Sequence, residues 1–150
     1  MEKYIINNKT VAVLKKNDKT IIYNVDKVYV FNKNISKVLD YNCNYYGSSL
    51  LGRKISAKNI LKIKYKLPII IDEINKITLI QLNSPRGKKC IYLVTNKIID
   101  YEEQNQYLKI KCVNNINFYV KITKNNLEKM LIMSFKLNNI LFWRKNANFL

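Results

Sequence analysis

Three segments of this chain alternate apolar residues with lysine or other outward-facing residues at a period of two: Leu61-Lys62-Ile63-Lys64-Tyr65-Lys66-Leu67, Leu108-Lys109-Ile110-Lys111-Cys112 and Phe118-Tyr119-Val120-Lys121-Ile122. Successive side chains of a β-strand point to opposite faces, so such a run specifies a strand with one buried face and one wet face. In the first segment Leu61, Ile63, Tyr65 and Leu67 are expected to face a core. Lys62, Lys64 and Lys66 then form a comb on the other side, roughly 7 Å apart. That comb is either a solvated face or a basic flank for a polyanion. Between the other two segments, Asn114-Asn115-Ile116-Asn117 reads as a hairpin turn.

Further strands are expected at 9–15, 20–25, 28–31, 69–72, 77–82 and 90–95, separated by Asn-Asp-Lys, Asn-Lys-Asn and Ser-Pro-Arg-Gly turns. A short helix is expected near 34–45, with Ile35, Val38, Leu39 and Asn42-Cys43 on one side and Gly47 placed to end it. Residues 50–58 also read as helical. A C-terminal helix is expected near 125–142, with Asn125 as N-cap and Glu128 three residues on as a capping box. Its stripe of Leu127, Met130, Leu131, Phe135, Leu141 and Phe142 serves core packing or a dimer contact. No helix-turn-helix spacing is evident. The fold expected is α+β, mainly antiparallel sheet, in a single domain over 1–150, since a chain of 150 residues, 48% hydrophobic, buries about two thirds of its unfolded surface.

Composition narrows the chemistry. There is no histidine, which removes Ser-His and Cys-His catalysis and the commonest base near neutral pH. Cys43, Cys90 and Cys112 are odd in number and widely spaced, so reduced, packed thiols are expected rather than disulfides or a zinc site. Ser48 or Ser49 with Lys54 could be written as a Ser-Lys pair, but no acid cluster, phosphate loop or second catalytic motif accompanies it. A non-enzyme without metal or cofactor is expected. The longest apolar run, Leu67 to Ile71, is cut by Pro68 and stopped by Asp72, far short of a membrane span. Met1-Glu2-Lys3-Tyr4 is not followed by the apolar region of a signal peptide. Both point to a soluble cytoplasmic protein that does not meet the membrane.

The net charge is +17, from 27 Lys and Arg against 10 Asp and Glu. Lys, Asn and Ile supply 24, 22 and 22 residues, as A+T-rich codons would, so part of the lysine excess is compositional. Acid codons are equally accessible to such a bias. The shortage of acids therefore argues for a polyanionic partner bound through phosphate neutralisation and counterion release.

Two of the three glycines and one of the three arginines fall within Cys43-Asn44-Tyr45-Tyr46-Gly47-Ser48-Ser49-Leu50-Leu51-Gly52-Arg53-Lys54. Gly47 and Gly52 let the backbone turn at both ends and approach another surface closely. Ser48 and Ser49 suit either a helix cap or a phosphate contact. Arg53 and Lys54 deliver charge at a defined place, and arginine suits a narrow A-T minor groove. Arg86, with Lys88 and Lys89 in the Ser84–Lys89 turn, is a second candidate contact or an ordinary basic turn.

The twelve-residue stretch resembles the C-x-x-[YF]-G-S-S-x-x-G-R-K core of the ComK family of competence transcription factors. Leu67-Pro68-Ile69-Ile70-Ile71-Asp72, Ser84-Pro85-Arg86 with Cys90 and Tyr92, and Val11-Ala12-Val13-Leu14 resemble further family segments in order. The resemblance runs from about Tyr4 to Trp143-Arg144. It implies activation of DNA-uptake genes by binding double-stranded A-T boxes through the minor groove, as a homodimer or dimer of dimers, with RNA polymerase as a candidate partner. Arg53, Lys54, Arg86, Lys88 and Lys89 become the leading contacts, with Ser48 and Ser49 as further candidates and Lys62, Lys64 and Lys66 a basic flank. The chain ends at Leu150, where longer family members continue into a tail read by an adaptor-protease system, which puts that control in doubt. A small basic RNA-binding structural protein of ribosomal type is the alternative, against which an expected sparseness of exposed aromatics for stacking and the lack of an RNP-like motif count.

Overall fold

Ile69 to Ile71, Leu79 to Ile80 and Cys90 to Val94 carry apolar residues at consecutive positions, and such strands are stable only where both sheet faces are covered. The computed structural model, which describes residues 3–83 and 89–146, covers both. β1 (Thr10–Lys16), β2 (Lys19–Asn24), β3 (Val28–Phe31), β4 (Ile69–Asp72), β5 (Ile77–Gln81) and β6 (Lys89–Val94) form a six-stranded antiparallel sheet in the order β3-β2-β1-β6-β5-β4. One face packs Val13, Leu79, Tyr92 and Val94 against Ile35, Val38, Leu39 and Cys43 of α1 (Ile35–Tyr45). The other packs Ala12, Ile80 and Leu93 against a second antiparallel sheet of β7 (Ile98–Gln104), β8 (Tyr107–Cys112) and β9 (Asn117–Val120), with Leu127 and Met130 of α3 (Lys124–Asn146). Each fully buried Leu or Ile here contributes on the order of 1.5–3 kcal/mol. α2 (Leu50–Leu61) meets α3 where Ala57 and Leu61 pack with Ile70 of β4 and Leu137. The expected α+β class and antiparallel sheet are observed.

α1 buries the face read from its periodicity, including Asn42, which is fully buried. Its amide is saturated. Oδ1 accepts from the Ile6 N–H at 2.7 Å, and Nδ2 donates to the carbonyls of Tyr4 at 3.1 Å and Val38 at 2.9 Å, so the helix holds the N-terminal segment. α1 ends at Gly47, φ +92°, where the Gly47 N–H reaches Asn44 O and the Ser48 N–H reaches Cys43 O, a Schellman closure that needs the left-handed glycine. Cys43, Cys90 and Cys112 are free and buried, and burial raises the Cys43 and Cys112 thiols to about 11.

Four readings need correction. Leu61 to Leu67 is not a strand: α2 runs three residues past its expected end, Lys62 caps it at φ 60° with its N–H on Lys58 O, and Lys66 lies at φ 52°. Leu61 is buried as the partner of Ala57 one helical turn away, and Tyr65, expected in a core, is 84% exposed. β7 was not anticipated, because its sequence Ile-Ile-Asp-Tyr-Glu-Glu-Gln is mostly exposed and lacks a clean apolar alternation. Gly52 does not turn the chain but sits inside α2, where an added Cβ would meet Ser49 Oγ at 3.0 Å.

The fourth concerns α3. Its first turn is capped by Thr123, whose Oγ1 accepts the Asn126 N–H at 3.1 Å and whose carbonyl accepts from Leu127, so Asn125 lies within the helix. Glu128 instead accepts from the Tyr101 hydroxyl at 2.7 Å. The buried face is Leu127, Met130, Ser134 and Leu137, leaving Phe135 and Phe142 outside. Thr123→Ala should therefore cost about 1 kcal/mol in chemical denaturation while Asn125→Ala costs close to nothing. Equal losses would return the cap to Asn125. None of the described helices is long and apolar enough to cross a membrane.

Candidate nucleic-acid interface

The Gly-Ser-Ser segment is the link between two consecutive helices. Only Tyr46 to Ser49 separates α1 from α2, so the chain does contain a helix-turn-helix spacing that its sequence did not reveal. Two capping groups shape the second helix. Ser49 Oγ accepts the Gly52 N–H at 2.9 Å, and Asp40 of α1 accepts the Leu50 N–H at 2.9 Å through Oδ1. Both serines are half-buried. The N–H groups that would suit a phosphate at this end are thus in part satisfied internally, with a carboxylate already beside them.

Arg53 and Lys54, adjacent in sequence, point to different fates. Arg53 turns inward: its side chain is 14% exposed and Nη1 meets Glu73 Oε1 at 3.1 Å. Glu73 lies in the β4–β5 turn and also pairs with Lys145 near the end of α3. Burial pushes the Glu73 carboxyl up, but Lys145 and Arg53 outweigh it and hold the group below the usual carboxylate range. One carboxylate therefore ties α2, the β4–β5 turn and α3. Arg53 Nε is buried with no hydrogen-bond partner among the described residues.

Lys54 turns outward. With Lys58 and Lys62 it follows a spacing of four along α2, one face of a helix, beside the exposed Leu51 and Ile55. Lys64 and Lys66 follow on the exposed connection to β4. From Asp40 to Asp72 the chain has no acid and six cations. The predicted comb thus exists as three exposed lysines, but on a helix end and loop rather than a strand.

A second basic row lies at one end of the large sheet. Lys16 of β1 pairs directly with Lys19 of β2 on one side and Lys89 of β6 on the other. Like charges at facing positions destabilise a sheet, so this row is kept at a cost to the fold, with Asp18 of the turn the nearest acid in sequence. Burial raises the thiol of Cys90, with Tyr92 and then Lys15 and Lys54 opposing that rise. Lys15, Lys16, Lys19 and Lys58 were missed from sequence because Lys15 read as the end of a strand, Lys16 and Lys19 as the turn beside it, and Lys58 as the end of a helix. Of the predicted contacts, Ser48, Ser49, Lys54, Lys62, Lys64, Lys66 and Lys89 lie at or near the surface, Arg53 is held inside, and Arg86 and Lys88 lie outside the described residues.

Comparison with known proteins adds three findings. The family described as ComK protein matches residues 1–144. The Competence transcription factor of Bacillus subtilis (strain 168) is 34% identical over 94 residues, 60% of this chain, and the match spans about half of that relative, 49% of its length. No solved structure matches.

Proposed function

Because this chain belongs to the ComK family, we propose that it is a DNA-binding transcription factor that activates competence genes from A-T-rich boxes read through the minor groove. The observation that carries this reading is the facing lysine row of Lys19, Lys16 and Lys89, a cationic surface maintained against its own repulsion, with the exposed Lys54, Lys58 and Lys62 of α2 a second basic face. Lys54 and Lys58 of α2 and Lys89 of β6 are the leading phosphate contacts, with Lys62, Lys64 and Lys66 a flank. Arg53 reads the groove only if its guanidinium leaves Glu73. Arg86 and Lys88, which precede Lys89 in sequence, complete the candidate set. No catalytic or metal role is assigned.

Minor-groove readout scarcely separates A·T from T·A, so one copy cannot select rare sites. A dimer or dimer of dimers on paired boxes supplies the missing specificity through spacing, and an activator so placed can contact RNA polymerase. Such a protein works at the nucleoid in the cytoplasm.

One observation favours a second docking mode: the α1–turn–α2 unit presents an outward helix that a major groove can admit. Competition separates the two. Binding to A-T-box duplex should be steep in salt, should be displaced by netropsin, and should tolerate methylation of major-groove guanine N7. Displacement by N7 methylation but not by netropsin would put α2 in the major groove and remove the minor-groove mechanism. Stronger binding to structured RNA than to duplex would remove the DNA reading altogether.

A further inference from the structure

A cavity of about 460 Å³ opens between the N-terminal segment, the end of β3 and the first turns of α1, and it shares no residue with the surface above. Its wall is aromatic. Tyr4 and Phe31 lie with ring centroids 6.3 Å apart, and Tyr41 faces in from α1. Its rim is cationic, formed by Lys3, Lys33 and Lys37, and among the described residues no acid lines it. None of the three ammonium groups has a carboxylate partner among the described residues. Lys3 rests on the face of Tyr41, 4.8 Å from the ring centroid, a contact weak enough at an exposed site to be exchanged for another.

These walls are fixed before any ligand arrives. The Tyr4 hydroxyl is hydrogen-bonded to Thr10 at 3.0 Å and to Asn24, and its carbonyl takes the Asn42 amide. The Lys33 carbonyl accepts from the Thr20 hydroxyl at 2.7 Å, which sets the loop between β3 and α1. Lys37 and Tyr41 are four apart on α1 and therefore share a face.

We propose that this cavity binds a nucleoside di- or triphosphate, with the base stacked on the Tyr4, Phe31 and Tyr41 wall and the phosphates on Lys3, Lys33 and Lys37. An aromatic wall recognises a planar ring without reading its edge, and stacking on it contributes on the order of 1–3 kcal/mol per base. Three lysines on one rim match a polyphosphate better than a single phosphate. The volume falls within the range of small-ligand sites. The same chemistry could be offered by the nucleotide of a single strand, and the geometry favours the free ligand because the cavity has room for one ring and its phosphates.

The test titrates the full chain with ATP, and in parallel with adenosine, tripolyphosphate and an oligo-dT strand. ATP should bind at least about tenfold more tightly than adenosine or tripolyphosphate. Lys33→Gln with Lys37→Gln should weaken ATP about tenfold, Tyr41→Leu should weaken it several-fold, and Tyr41→Phe, which keeps the ring, should not. Lys54→Gln with Lys58→Gln should leave ATP binding unchanged. Tripolyphosphate binding as well as ATP, or an equal loss in the Lys54 and Lys58 pair, would reduce the effect to general charge attraction and overturn the site. Absence of ATP binding, or Lys33-dependent binding of oligo-dT alone, would overturn it equally.

Discussion

Replacing Lys16, Lys54, Lys58 and Lys89 together by glutamine is expected to weaken duplex DNA binding by on the order of 10²–10³-fold near 0.1 M salt while leaving the fold intact. Each lysine that neutralises a phosphate releases about 0.9 of a counterion, so removing four should flatten the plot of log affinity against log salt by up to roughly 3.6. The loss should be similar for A-T-rich and mixed-sequence duplex, since phosphate contacts position a protein without reading bases. The same change should raise stability or leave it unaltered, because Lys16 and Lys89 face each other across the sheet and relieve repulsion when neutralised. Those two signs together separate a binding surface from a structural one. An unchanged salt slope would move the interface away from α2 and this end of the sheet.

The second large effect lies at Glu73. Glu73→Ala leaves the Arg53 guanidinium 14% exposed with no carboxylate to face, and it frees Lys145 at the end of α3. Removing one partner of a fully buried pair costs about 3–5 kcal/mol; partial exposure of both side chains lowers the expectation here to about 1–3 kcal/mol in urea or thermal unfolding. The pH dependence has a defined sign. Burial raises the Glu73 carboxyl, yet Lys145 and Arg53 bring it below its ordinary value, so the folded state binds this proton more weakly than the unfolded chain. Its stabilisation is present above the unfolded carboxylate range and is lost as pH falls through the lower folded value. The stability gap between the native chain and Glu73→Gln should accordingly be full at neutral pH and close in acid. A gap independent of pH would show that packing, rather than charge, carries the contact. The same variant tests Arg53, since a guanidinium released toward DNA should raise specific affinity, whereas one that only anchors α2 should not.

Much of the scaffold was legible in local pattern. Val28–Phe31 and Ile69–Asp72 lie at the expected residues, the β8–β9 hairpin turns at Asn114 and Asn115, both at positive φ, and α1 buries the five residues its period selects. These are features in which neighbouring residues supply the whole signal: apolar period, a turn former, a left-handed glycine. The lysine comb failed for the same reason in reverse. Leu61 to Leu67 has the period of a strand, but a helix started by Ser49 propagates at one hydrogen bond per residue and is not halted by alternation, so Leu61 joined Ala57 against Ile70 and Leu137.

What the order of residues determined by itself is therefore the class of fold, the Schellman end of α1 at Gly47, the cap at Ser49 and the excess of cations that calls for a polyanion. Tertiary structure alone decided which cations face outward. Arg53 and Lys54 are neighbours, yet one meets a carboxylate twenty residues on and the other meets solvent, because a helix turns about 100° per residue and the β4–β5 turn stands on one side of it. Lys16, Lys19 and Lys89 form a row only because antiparallel pairing sets two hairpin partners and a distant strand side by side. Charge is a property of composition, whereas its concentration on one surface depends on contacts between residues far apart in the chain, and no local period encodes those.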